Sequence, residues 1–207
     1  MTAVAGMVGY LIGSIPTAAF LARLKGIDLR KDGSGNPGAK NALSTGGPVL
    51  AAAVLLVEAA KGYVAVLVGM GLADDAGAVA AGLAAVAGNV YNVWYRFGGG
   101  KGLGISLGVL AAAWPTVLPV VLVVIVAGVI LTRSAGLASL AAMVALIVSA
   151  MVWPTNDWPT GGVTPDEKLL VLAVGMSLVM VWKHWRDSPL NPAWRSARRV
   201  PASPGRR

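Results

Sequence analysis

The sequence predicts an all-α integral membrane protein with seven transmembrane helices, the N-terminus outside and the C-terminus in the cytoplasm. Three observations carry this. Hydrophobic residues make up 56% of the chain and charged residues only 13%, with a mean hydropathy of +0.71; a soluble domain of this size has too little interior to hide that much apolar surface. The charges sit between long uncharged runs. Basic residues also crowd alternate connections, as the positive-inside rule requires.

The first uncharged run, 1–22, is long enough to span and lacks the basic start and cleavage site of a secretory signal, so it reads as the first helix. Arg23, Lys25, Arg30, Lys31 and Lys40 fill the next connection. Pro48 restarts an apolar pattern that runs to about Leu72, and Asp74-Asp75 make an acidic turn. A third run covers 76–95, followed by Arg96 and Lys101. The uncharged stretch 102–132 exceeds the ~17–25 residues of one span, so two short helices are expected, broken near Trp114-Pro115. After Arg133 an apolar run reaches about Val152, a Pro- and Gly-containing loop covers 153–168, and 169–182 form the last span. Residues 1–194 thus make one membrane domain, and 195–207 a basic tail expected to be disordered.

Of the 17 Lys and Arg, all but Lys61 and Lys168 fall in connections, or in the segment after the last span, assigned to the cytoplasm. The net charge of +8 therefore reflects topology and gives no reason to expect a nucleic-acid partner. With no cysteine and one histidine, His184, a thiolate or histidine-cluster metal site is excluded and no cofactor is expected. Trp94, Tyr95, Trp153, Trp158, Trp182 and Trp185 fall near expected helix ends, where aromatic rings anchor at the membrane interface.

Two polar stretches interrupt the apolar chain: Gly33-Ser34-Gly35-Asn36-Pro37-Gly38-Ala39-Lys40-Asn41 and Phe97-Gly98-Gly99-Gly100-Lys101-Gly102. Glycines allow close backbone approach, and successive N–H groups can cradle an anion. Lys40 and Lys101 add charge, while Ser34, Asn36 and Asn41 add hydrogen-bonding groups. Two such loops on the cytoplasmic side point to a phosphate site at a membrane surface. Ser34 and Asn36 either contact substrate or stabilise their own turn. Glu58 and Lys61 share a helix face inside the second span, as a structural ion pair or as support for the site.

In order along the chain stand Gly13-Ser14-Ile15-Pro16-Thr17, Lys25-Gly26-Ile27-Asp28-Leu29-Arg30, the Gly33–Asn41 block, Lys61-Gly62 and Gly99-Gly100-Lys101-Gly102. This pattern resembles the bacterial integral-membrane glycerol-3-phosphate acyltransferases that use acyl phosphate, the PlsY family. The resemblance implies transfer of a fatty acyl group from acyl phosphate to the 1-hydroxyl of glycerol 3-phosphate. The product would be lysophosphatidic acid, made at the cytoplasmic face of the bacterial inner membrane during phospholipid synthesis. Membrane lipids would be its surroundings. It implies catalytic roles for Ser34, His184 and Asp187 and substrate binding by Gly35, Asn36, Gly38, Lys40, Asn41, Gly99, Gly100 and Lys101. Glu58 and Lys61 would support them.

The chain departs from the family pattern at named positions. Lys40 stands where the family has Thr, Ser44 where it has Arg, and Glu58 where it has Asp. Asn89 and Asn92 replace a His and a Pro, Gly98 a Lys, and Asp187 an Asn. With a helix starting after Gly38, Lys40 lies one turn before Ser44 and supplies charge near the missing arginine. The replacements keep two other readings open: the same fold acting on another phosphorylated acceptor, or an inactive lipid-binding membrane protein.

Overall fold

The computed structural model describes residues 1–197, with side chains to Trp194. Among these residues every regular element is helical: α1 (Thr2–Ser14), α2 (Thr17–Arg23), α3 (Ala39–Val90), α4 (Leu103–Ala113), α5 (Leu118–Thr132), α6 (Ala135–Thr155), α7 (Glu167–Arg186) and α8 (Pro192–Ala197), with single 3-10 turns at Val93–Tyr95 and Pro115–Val117. The expected basic tail lies outside the described residues beyond 197.

Among the described residues, five stretches are long and apolar enough to cross a membrane: Thr2–Arg23, Ala39–Tyr95, Pro115–Thr132, Ala135–Thr155 and Glu167–Arg186. Leu103–Ala113 is a shorter apolar helix. Helix α3 is not one rod. Its 52 residues, if straight, would run to ~78 Å, more than twice the ~30 Å hydrocarbon core. It breaks at Gly47 (φ 82°) and again at Ala73-Asp74, where Asp74 has φ 49°. At the second break the chain folds back on itself, so the backbones of Gly69 and Gly77 touch.

The 1–22 run, expected as one helix, is two. Pro16 has no N–H and cannot continue a helix, so α1 ends at Ser14 and α2 begins at Thr17. A broken helix frees carbonyls that apolar surroundings cannot solvate. Side chains from far along the chain take them up. Lys61 Nζ donates to the carbonyls of Gly13 (3.2 Å) and Ile15 (2.8 Å), and Asn92 Nδ2 donates to that of Ser14 (2.7 Å).

Helix α1 lies directly against the last segment of α3. A Cβ at Gly13 would fall 2.0 Å from the carbonyl oxygen of Ala85, so only glycine permits this approach. The core joins α3, α4, α5, α6 and α7 through Val66, Val86, Ile105, Val121, Leu146 and Met176. Trp114 closes it, edge-on to Trp153 at 5.3 Å, which in turn meets Trp158 at 4.9 Å. Trp153, expected as an interface anchor, therefore also packs inward. The outer faces are apolar and uncovered, with Val123, Ile130 and Leu131 of α5 all exposed, as expected of surface meant for lipid.

Candidate active site

Both Gly/Lys loops and the end of α7 converge at one end of the bundle, at the break between α1 and α2. The first loop is held by Asn41, two residues into α3. Its Nδ2 donates to the carbonyls of Leu29 (2.9 Å) and Asp32 (3.0 Å), and its Oδ1 accepts from the Ser34 N–H (2.8 Å). Asn41 is buried and its carboxamide is occupied by the loop. The loop also binds itself: Gly35 N–H donates to Asp32 O and Gly38 N–H to Asn36 O. The Ser34 side chain and Lys40 are exposed, Asn36 half-buried. Helix α3 begins at Ala39 with Gly38 as its cap, so Lys40 and Ser44 are indeed one turn apart. Ser44 Oγ donates to Asn41 O (2.9 Å).

The second loop follows the α3 end and leads into α4. Gly99 N–H donates to Val90 O and Gly100 N–H to Asn89 O. A Cβ at Gly99 would lie 2.0 Å from Asn89 O, so the close packing requires glycine. The two loops meet where the Pro37 carbonyl faces Gly100, and Arg30 stacks over the Tyr95 ring at 4.4 Å. A small pocket at this junction is lined by Pro16, Pro37, Glu58, Asn89, Asn92 and Gly100, with Tyr95 at its side.

Glu58 forms the pocket's charged wall. Its Oε1 accepts from Thr17 Oγ1 (2.7 Å), and its Oε2 accepts from Asn89 Nδ2 and lies 3.0 Å from Lys61 Nζ. Both members of the pair are 7% exposed. Paired, hydrogen-bonded burial is the condition under which such charges persist inside a protein.

At the end of α7, His184 is buried, and its Nε2 lies 3.1 Å from the Lys101 carbonyl. A carbonyl only accepts, so Nε2 carries the proton and Nδ1 is the basic nitrogen. Asp187, one turn later, pairs with Lys101 through Oδ2, while Arg186 Nε is 3.8 Å from its other oxygen. Lys101 and Asp187 keep partial exposure, 28% and 38%. Lys101 stands just before α4, whose first-turn N–H groups lack intrahelical acceptors and favour an anion.

The structure thus gathers Lys101, His184 and Asp187 in one cluster, Glu58 and Lys61 with Asn89 in a second, and Ser34, Gly35, Asn36 and Gly38 on the adjoining loop, with Lys40 and Asn41 in the first turn of α3. Sequence reading missed Thr17 and Lys183. Lys183 directly follows the last expected span, 169–182, as one of several basic residues there; only the packing of α7 reveals its contacts.

A sequence profile for the family Glycerol-3-phosphate acyltransferase matches residues 3–189. The chain belongs to this family. It is 40% identical over 185 residues to the glycerol-3-phosphate acyltransferase of Agrobacterium fabrum (strain C58), covering 89% of this chain and 85% of that one. Against the glycerol-3-phosphate acyltransferase of Myxococcus xanthus (strain DK1622) the identity is 44% over 145 residues, 69% of this chain and 76% of that one. The crystal structure of PlsY (YgiH), an integral membrane glycerol 3-phosphate acyltransferase, in its glycerol 3-phosphate form aligns with a TM-score of 0.73 at 28% identity over 88% of each chain. The lysophosphatidic acid form gives 0.73 at 27% identity over 88% and 87%. Apolar helices and integral-membrane relatives together make this acyltransferase-family chain a multi-pass membrane protein.

The positions that depart from the family pattern are not idle. Asn89 holds the Glu58 carboxylate, and Asn92, where a proline could not donate, caps Ser14 O. Asp187 neutralises Lys101 where an asparagine would not.

Proposed function

We propose that the chain transfers a fatty acyl group from acyl phosphate to the 1-hydroxyl of glycerol 3-phosphate, releasing inorganic phosphate and lysophosphatidic acid for phospholipid synthesis. The observation that carries this reading is the convergence of two glycine-lysine loops on one polar pocket at the end of an apolar bundle. Family membership supplies the acyltransferase chemistry and its phosphorylated acceptor.

The reaction asks for little covalent help. The acceptor oxygen attacks the acyl carbonyl carbon, the carbon–oxygen bond to phosphate breaks, and the hydroxyl proton ends on the released hydrogen phosphate. Phosphate is a good leaving group, so no acyl-enzyme is required. The protein's task is to bring two anions together, orient the hydroxyl and stabilise developing charge. Lys101, Lys40 and Arg30 supply cations. Ser34 and Asn36 supply polar contacts, and Gly35, Gly38, Gly99 and Gly100 permit close backbone approach. Asn41 keeps the first loop in shape. His184 fixes the backbone of Lys101 and Asp187 sets its ammonium group. Glu58 and Lys61 brace the break that shapes the pocket.

Counting the two long segments of α3 separately and including α4, the chain makes seven crossings of a bacterial inner membrane. The N-terminus lies outside, and the site faces the cytoplasm among membrane lipids. The distribution of Lys and Arg supports this orientation.

Phosphate release from palmitoyl phosphate, measured with glycerol 3-phosphate, with another phosphorylated acceptor such as dihydroxyacetone phosphate, and with none, tests the reading. Release stimulated by glycerol 3-phosphate above the others is expected. Stimulation by another acceptor alone, or by none from folded protein, would overturn it.

A further inference from the structure

Lys183 is the residue before His184, near the end of α7, and it is half-buried. Its Nζ donates to the carbonyls of Val90 (2.9 Å), Gly99 (2.6 Å) and Gly100 (2.8 Å). An ammonium group has three protons, and here three carbonyls take them. His184 adds the next carbonyl, that of Lys101. Two consecutive residues of α7 therefore grip three consecutive carbonyls, 99 to 101, and tie them to the end of α3 through Val90.

We infer that Lys183 is a positioning residue for the phosphorylated acceptor, acting by locking the Gly99-Gly100-Lys101 backbone so that the Lys101 ammonium and the start of α4 are fixed at the site. The inference rests on the acylation of glycerol 3-phosphate proposed above. Its physical basis is the freedom of the segment it holds. Gly98, Gly99 and Gly100 precede Lys101, and a run of glycines has the widest choice of backbone conformations. The loop's own N–H bonds, Gly99 to Val90 and Gly100 to Asn89, secure one edge. The carbonyl edge faces α7, and Lys183 secures it. A neutral residue of the same length would leave buried carbonyls without a donor. The loop would then turn its carbonyls elsewhere and carry Lys101 with it. Lys183 is no phosphate ligand in this arrangement, because its protons are committed to carbonyls. Its effect on the substrate passes through Lys101.

That route distinguishes positioning from general support. The protein in detergent is assayed with palmitoyl phosphate and glycerol 3-phosphate as wild type, Lys183→Met, Lys101→Ala and the double variant. Lys183→Met is expected to lower kcat/KM for glycerol 3-phosphate about thirtyfold, and less than about threefold in the Lys101→Ala background. Multiplying effects in the double variant would overturn the inference. Lys183→Gln, which can still serve part of the carbonyl set, is expected between wild type and Lys183→Met and covers poor folding of the methionine variant. Amide hydrogen exchange provides a readout independent of turnover. Faster exchange confined to residues 98–104 in Lys183→Met or Lys183→Gln is expected. Unchanged exchange there would overturn the clamp even in a protein that turns over. Absence of glycerol 3-phosphate turnover in the wild type would refute the acylation reading and with it the positioning role, while the exchange result separately decides whether the clamp exists.

Discussion

Lys61 Nζ, 3.0 Å from Glu58 Oε2, also donates to the Gly13 and Ile15 carbonyls freed by the proline break. One ammonium thus serves two needs, neutralising a buried carboxylate and satisfying the ends of a broken helix. Lys61→Met should leave both unmet, lowering stability by about 3–5 kcal/mol. Thermal unfolding in detergent should show a large fall in Tm, with poor recovery of folded protein.

The approach of α1 to α3 depends on Gly13, where a Cβ would meet Ala85 O at 2.0 Å. Gly13→Val should cost more than ~3 kcal/mol, since backbone rather than a flexible side chain must move. Gly71→Ala is the control: nothing lies within 4 Å of its Cβ position. It should leave Tm unchanged or raise it slightly, because alanine favours the helix.

Asn41 joins three backbone groups of the first loop. Asn41→Ala should lower stability by ~1–3 kcal/mol and raise KM for glycerol 3-phosphate as the loop loosens. Asn41→Asp should be at least as harmful, because an oxygen would then face the carbonyls of Leu29 and Asp32. Steady-state kinetics beside thermal unfolding separates the two effects.

Asp187 pairs with the Lys101 ammonium, which on the proposed reading would otherwise meet the substrate phosphate. In Asp187→Asn, KM for glycerol 3-phosphate should fall about two- to fivefold, the worth of a partly exposed ion pair. High salt should shrink the difference. An unchanged KM would mean that Asp187 does not compete.

Lys40 is exposed one turn before Ser44. Lys40→Ala should raise KM for glycerol 3-phosphate about threefold with little change in kcat. Lys40→Arg should retain wild-type KM, since the charge survives.

Much of this was legible in the sequence, for reasons specific to each element. Pro115 after a long uncharged run marks the break at Trp114, and the Asp74-Asp75 pair marks the turn where α3 folds back. The i, i+3 spacing of Glu58 and Lys61 predicts their contact. Pro48, where the apolar pattern restarts, directly follows the Gly47 break in α3, whereas the helix begins nine residues earlier, at Ala39. The division of the first run at Pro16 was not legible from hydropathy, which counts apolar residues and ignores carbonyls. The groups that make the break tolerable, Lys61 and Asn92, lie far along the chain. Asn41 reads as a substrate ligand until its neighbours are placed, because carboxamides bind backbone and phosphate equally well. Lys183 is one basic residue among many in the C-terminal segment, and only the return of α7 to the glycine loop sets it apart.

The most direct test of the account is lysophosphatidic acid formation from palmitoyl phosphate and glycerol 3-phosphate by the purified protein and by Lys101→Ala, at equal amounts of folded enzyme. Product formed by the wild type and reduced at least about a hundredfold in Lys101→Ala is the predicted result, matching loss of a charge-assisted contact in a site built to stabilise developing charge. Equal product from both would contradict the assignment of the converging loops as the active site.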